Sequence, residues 1–166
     1  MSPRLASRLV ASFSACGLAV STYLTIAHYT SPTVLACETG GLVNCERVTT
    51  SPQSTFLGIP VAVLGMVWFG AMLLMSMIGA WDRATLHRTR IAWSVVGVSF
   101  MLWLVFAELT IVGAICLWCS IAHVFAFLVF LVVMVEASHP QTTNETFVVN
   151  DQGRSARESD RRGEMF

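Results

Sequence analysis

The stretch AICLWCSIAHVFAFLVFLVVMV, Ala114–Val135, decides the fold. Its 22 residues contain no Arg, Asp or Glu, and a helix needs about 20 apolar residues at about 1.5 Å each to cross the hydrocarbon of a bilayer. Three more stretches qualify. Leu9–His28 is free of Arg, Asp and Glu, Val48–Trp81 is uncharged with its best span over 58–80, and Ile91–Leu109 carries only Glu108 near its end. The sequence therefore predicts an all-α polytopic membrane protein. Four transmembrane helices are expected, at 9–28, 58–80, 91–109 and 114–135.

Composition points the same way. Charged residues are 12% of the 166 and mean hydropathy is +0.67, where soluble domains carry about 25% charged residues. The ten arginines balance ten acids, so no excess charge suggests nucleic acid. A disordered chain, a collagen-like fibre and a secreted cysteine scaffold are excluded. Leu9–His28 is longer than the apolar core of a cleaved signal peptide, and three spans follow it, so it reads as a retained helix. Val34-Leu35-Ala36-Cys37 faintly resembles a lipoprotein cleavage site, but the polar residues 28–32 separate it from the apolar run.

Arginine placement sets the expected orientation. Arg4 and Arg8 precede the first span, and Arg83, Arg88 and Arg90 lie between the second and third. Only Arg47 lies between the first and second, beside Glu38 and Glu46, and the connection between the third and fourth has none. Both termini are expected in the cytoplasm. Residues 1–136 form the membrane domain, and 137–166 a polar cytoplasmic tail without hydrophobic periodicity, expected to be disordered.

Four of the five cysteines then converge on the extracytoplasmic face: Cys37 and Cys45 in the loop, Cys116 and Cys119 where the fourth span begins. That compartment is oxidising, so two disulfides are compatible with it. The fifth, Cys16, lies mid-span and reads as a small apolar residue. Cysteines three apart at a helix start share one face, and the free N–H groups and positive potential there lower the first thiol's pKa. Cys119 lies about one turn deeper. The loop pair encloses seven residues including Gly40-Gly41; it reads either as a structural staple or as an exchangeable disulfide.

Two dithiols on one face suggest a relay in which thiol–disulfide exchange passes electrons from one pair to the other. The chain has no GxGxxG turn for a flavin or nicotinamide, and its four histidines form no facing pair for haem. A lipid quinone is the remaining diffusible acceptor at that depth. Two other classes compete: a zinc or copper protein using the four cysteines, and a four-span scaffold with two staples. Zinc suits four thiolates, but it needs reduced thiols on an oxidising face.

The chain resembles the vitamin K epoxide reductase family in its bacterial form without a fused thioredoxin domain. The matching pieces are Cys37-Glu-Thr-Gly-Gly-Leu-Val-Asn-Cys45, Val48-Thr-Thr-Ser51-Pro52, Gly58-Ile59-Pro60 with Gly65, and Gly113-Ala-Ile-Cys116-Leu-Trp-Cys119. The resemblance implies a four-helix bundle around a quinone of the menaquinone, ubiquinone or vitamin K type, with an extracytoplasmic loop cap between the first and second helices. It implies a bacterial plasma membrane location and a DsbA-like thioredoxin-fold thiol oxidase as partner. Electrons would pass from that partner to Cys37/Cys45, then to Cys116/Cys119, then to the quinone.

Role by role, Cys116 would exchange with a loop cysteine, Cys45 rather than Cys37, and Cys119 would face the quinone. Ser51 falls where the family places a serine or threonine that helps the active thiols; otherwise it caps a turn before Pro52. His123, four residues after Cys119 and on the same helix face, falls where some relatives carry a tyrosine that bonds a quinone carbonyl. Otherwise it bonds a neighbouring backbone group. The second span lacks the asparagine that animal members use as a second quinone donor, which leaves the second carbonyl unassigned and counts against epoxide chemistry; reduction of vitamin K or its epoxide as the main task is the runner-up reading. Glu108 reads as a solvated interfacial carboxylate, with proton transfer during quinol formation as the alternative. Trp68, Trp93, Trp103 and Trp118 have spacings typical of packing and interfacial anchoring.

Overall fold

The computed structural model describes residues 3–31, 35, 37, 42–77 and 84–138. The expected disordered tail and the Gly40-Gly41 return lie outside the described residues, apart from the tail's first two positions, Ala137 and Ser138, which end a helix and follow it. The described residues form five α-helices in the order α1 (Pro3–Thr30), α2 (Cys45–Thr49), α3 (Val61–Met77), α4 (Ala84–Ala107) and α5 (Leu117–Ala137). Between α2 and α3 come a 3-10 turn at Pro52–Ser54 and a small antiparallel hairpin of β1 (Thr55–Phe56) and β2 (Ile59–Pro60). A π-helical turn, Glu108–Val112, ends α4.

Among the described residues, three segments are long and apolar enough to cross a membrane: Arg4–Thr30, His87–Val112 and Leu117–Ala137. The fourth long helix, α3, has 17 residues and spans about 25 Å at 1.5 Å per residue, somewhat short of a full bilayer core. Its start corrects the expected 58–80 span. Leu57 (φ 53°) and Gly58 (φ 80°) both adopt left-handed backbone and form the two-residue hairpin turn, the conformation that matches the twist of paired strands. Residues 58–60 therefore belong to the hairpin, and the helix begins at Val61.

The other boundaries shift as well. Helix α1 extends past 9–28 at both ends, α4 starts seven residues before Ile91, and α5 starts at Leu117 rather than Ala114. Gly113, with φ +64°, takes the left-handed turn that ends the π segment and sends its N–H back to the Glu108 carbonyl, the usual role of a glycine just past a helix end.

Helix α1 packs against α3 and α5, and α4 packs against α5. Small residues permit close approach, as in membrane bundles. The Phe69 ring covers Gly17, the Trp68 indole covers Gly97, and any side chain at either glycine would collide with the ring. The indole is fixed by its N–H bond to the Trp93 carbonyl (2.9 Å) and by edge-on contact with Phe69. One buried cluster, including Val10, Met72, Val129 and Val133, fills the half of the bundle away from the cysteines. A second, including Leu24, Val48, Val112 and Ala114, lies around Cys45 and Cys116. Apolar side chains such as Val67, Val96, Leu102, Val124 and Phe127 point outward, as expected of helices solvated by lipid.

Arg90 departs from the sequence expectation. It belongs to α4 rather than to a loop, is 1% exposed, and faces Glu136 of α5 at 3.9 Å.

Candidate active site

Asn44 starts the cap helix. Its side-chain oxygen accepts the Arg47 N–H at 2.9 Å, a standard helix N-cap. This fixes Cys45 as the first residue of α2, where it is buried and joined by a disulfide to Cys37, with a Cα–Cα distance of 6.1 Å. Thr49 and Ser51 continue the local pattern. The Thr49 hydroxyl donates to the Cys45 carbonyl (2.8 Å), and the Ser51 hydroxyl to the Val48 carbonyl (2.7 Å). The Ser51 hydroxyl thus makes the turn contact before Pro52, and the residue also lines the cavity described below.

The segment before Cys45 pairs with the segment before Cys116. Val43 and Ile115 form a parallel bridge: Ile115 donates its N–H to the Leu42 carbonyl (2.8 Å) and accepts the Asn44 N–H (3.1 Å). Cys45 and Cys116 are the residues that follow. Both belong to one buried cluster.

Cys116 caps α5, and its sulfur accepts the Cys119 backbone N–H at 3.3 Å. Cys116 and Cys119 are thiols. A hydrogen bond from the Cys119 thiol lowers the Cys116 pKa, helped by the N–H groups of Cys119 and Trp118; burial and the nearby Glu108 carboxylate oppose the shift. This is the helix-start thiolate stabilisation the CxxC spacing suggests. Trp118 turns the other way and packs edge-on against Tyr23 at 4.8 Å.

Cys119 opens onto a cavity of about 540 Å³ bordered by α1, the cap, α3, α4 and α5 and partly open to the outside of the bundle. Its walls are mainly apolar, with Phe56, Trp68, Phe69, Trp93 and Phe100 among them. His123, Glu108 and Ser51 contribute polar groups to its wall, and Ser21, His28, Thr49, Gln53 and Ser54 line it as well. Such a volume suits a small flat apolar molecule with few polar atoms. Cys37, Cys45 and Cys116 do not line this cavity. Of the expected site residues, Cys119, His123 and Ser51 reach the cavity wall, while Cys37, Cys45 and Cys116 form the adjoining sulfur group.

Glu108 is the residue that sequence reasoning misplaced. It is 8% exposed, lines the cavity, and accepts a hydrogen bond from the Cys116 backbone N–H. The reason is helical phase: Glu108 continues the inward face of α4 that carries Arg90, Ser94, Gly97, Met101 and Leu104, each three or four positions on, and the π turn begins only at Glu108 itself. A carboxylate inside a span is costly enough to be a functional signal in itself.

A helical membrane bundle with a disulfide in its cap and a dithiol at the start of an apolar helix defines a membrane oxidoreductase. The chain belongs to the vitamin K epoxide reductase family, whose sequence model matches residues 8–134. No curated protein matches the chain.

Proposed function

We propose that this protein oxidises a reduced thioredoxin-fold partner and reduces a lipid quinone, so supporting disulfide formation outside the cytoplasm. The partner's dithiol reduces Cys37–Cys45. A loop thiolate, that of Cys45, then attacks the Cys116–Cys119 disulfide at Cys116, and resolution by Cys37 leaves Cys116 and Cys119 as thiols. Those thiols give two electrons and two protons to the quinone, re-forming their S–S bond. In this reading the cysteine end faces the extracytoplasmic side of a bacterial plasma membrane, and both termini are cytoplasmic.

The observation that carries the reading is the bridge between Val43 and Ile115, which starts Cys45 and Cys116 from one point while Cys119 opens on an apolar cavity. The cavity residues suit a quinone ring: aromatic side chains offer stacking faces, and His123 offers a hydrogen-bond group one turn beyond Cys119. Helix α3 contributes no Asn, Gln or His to that wall, which weighs against the epoxide as main substrate. A zinc or copper site is not favoured, because Cys37 and Cys45 are bonded to each other and metal ligation requires thiolates.

The test is anaerobic. The full chain is mixed with a reduced thioredoxin-fold oxidase and a soluble menaquinone or ubiquinone analogue, and quinone absorbance is followed. Turnover that disappears in Cys119→Ala supports the reading. Inertness toward quinones, with turnover of vitamin K epoxide by a small dithiol, transfers the function to epoxide reduction.

A further inference from the structure

The dithiol must release two protons, but only one of its sulfurs has direct access to the acceptor. Cys119 lines the cavity, whereas Cys116 is fully buried behind it. On the quinone-reductase reading above, the proton of Cys116 needs a carrier. One side chain bridges the two places. Glu108 lines the cavity, and its carboxylate accepts the Cys116 backbone N–H. It is also close enough to act electrostatically on both sulfurs. Its position is fixed from the backbone side, since its own carbonyl accepts the N–H groups of Gly113 and Ala114. Such a tether holds the carboxylate at the turn that presents Cys116.

We propose that Glu108 is the proton carrier between Cys116 and the quinone: its carboxylate takes the Cys116 thiol proton as the S–S bond forms and passes it to a quinone oxygen. The step balances. Two thiols become one disulfide, the two electrons go to the quinone, and the two thiol protons end on its two oxygens, one directly from the Cys119 side and one through Glu108. Glu108 returns to its starting state after each turnover. The other titratable side chains on the cavity wall, among the described residues, are Cys119 and His123 of α5 and His28 of α1. Cys119 is itself the other reacting thiol, and neither histidine is bonded to the Cys116 turn.

Glu108→Gln keeps an oxygen for the Cys116 N–H but exchanges no proton. It should lower kcat for quinone reduction about 100-fold, the usual scale of a general acid–base group, while leaving KM for the quinone unchanged; Glu108→Asp should stay within about tenfold of the wild type. The second readout needs neither quinone nor turnover. Infrared difference spectra between the dithiol and disulfide states of Cys116/Cys119 should carry a carboxyl C=O band that shifts in Glu108→Asp and is lost in Glu108→Gln. Should Glu108→Gln not fold, the comparison of wild type with Glu108→Asp decides the matter. Wild-type kcat in Glu108→Gln, or no carboxyl band in the wild type, overturns the proposal; if Cys119→Ala still abolishes turnover, the quinone-reductase reading stands without it. A wild-type protein inert toward every quinone overturns both.

Discussion

Asn44 donates its backbone N–H to the carbonyl of Ile115 at 3.1 Å, so the residues that follow them, Cys45 and Cys116, leave the same point of the fold. A disulfide forms when two Cα atoms lie about 4.4–6.8 Å apart with suitable side-chain directions. The double variant Cys37→Ala/Cys119→Ala retains only these two cysteines of the relay and should oxidise to a Cys45–Cys116 disulfide. Peptide mapping under non-reducing conditions reads it directly. The companion variant Cys45→Ala/Cys119→Ala should leave Cys37 and Cys116 mostly unlinked. The reverse pattern would make Cys37 the exchanging residue.

The thiol of Cys116 is lowered chiefly by the Cys119 thiol that donates to it. The thiolate is the nucleophile, so a lowered pKa raises the reactive fraction at any pH below the ordinary thiol value of about 8.5. In Cys119→Ala that donor is gone, and the Cys116 pKa should rise. Formation of the Cys45–Cys116 disulfide on addition of a soluble disulfide oxidant such as oxidised glutathione, followed in reduced Cys37→Ala and Cys37→Ala/Cys119→Ala, should therefore climb through a higher pH midpoint when Cys119 is absent. Coincident profiles would mean that the helix N–H groups alone govern the thiol.

His123 shares the cavity wall with Cys119. A hydrogen bond from its ring to a quinone carbonyl is worth about 0.5–1.5 kcal/mol, so His123→Leu should raise KM for the quinone up to about tenfold. Reaction of the reduced partner with Cys37–Cys45 should be unchanged, because that disulfide lies outside the cavity. Steady-state kinetics with varied quinone, alongside stopped-flow partner oxidation, separates the two. An unchanged KM would assign the histidine to packing.

The extent to which the sequence disclosed this site follows from physical causes. Apolar runs longer than a bilayer's thickness allow few alternatives, so the bundle and the membrane class were legible. The CxxC could be placed because a helix start has one geometry. Span ends were less legible, since Gly58 and Pro60 are apolar in composition yet form a hairpin through the left-handed backbone of Leu57 and Gly58. The inward position of Glu108 was hidden for a different reason: α4 is apolar on every side, so composition does not mark the face carrying Gly97, Met101, Leu104 and Glu108 as the one turned to the cavity. Nor does spacing reveal the bridge between Val43 and Ile115, 72 positions apart in the sequence. Arginine counting placed Arg90 at the correct end of its helix but assumed a loop, and its partner Glu136 lay just beyond the apolar run of the fourth span.

That pair carries the last prediction. Arg90 and Glu136 are 1% and 7% exposed and 3.9 Å apart, so each is the charge that makes the other tolerable in an apolar setting. Removing one partner takes from a buried charge its facing counter-charge, a loss of up to about 3–5 kcal/mol in comparable sites, whereas replacing both with apolar side chains is often close to neutral. Arg90→Leu and Glu136→Leu should each lower the unfolding midpoint in detergent sharply, and the double variant should recover most of the loss. The non-additivity gives the coupling energy of the pair. Helix α5 rises about 1.5 Å per residue, which puts Glu136 about 25 Å from Cys119. Quinone reduction by the double variant at a temperature where it remains folded should therefore match the wild type. A double variant as unstable as the sum of its parts would show that the two side chains stabilise the bundle independently; one that folds normally but has lost turnover would show that this end of the bundle communicates with the cysteines.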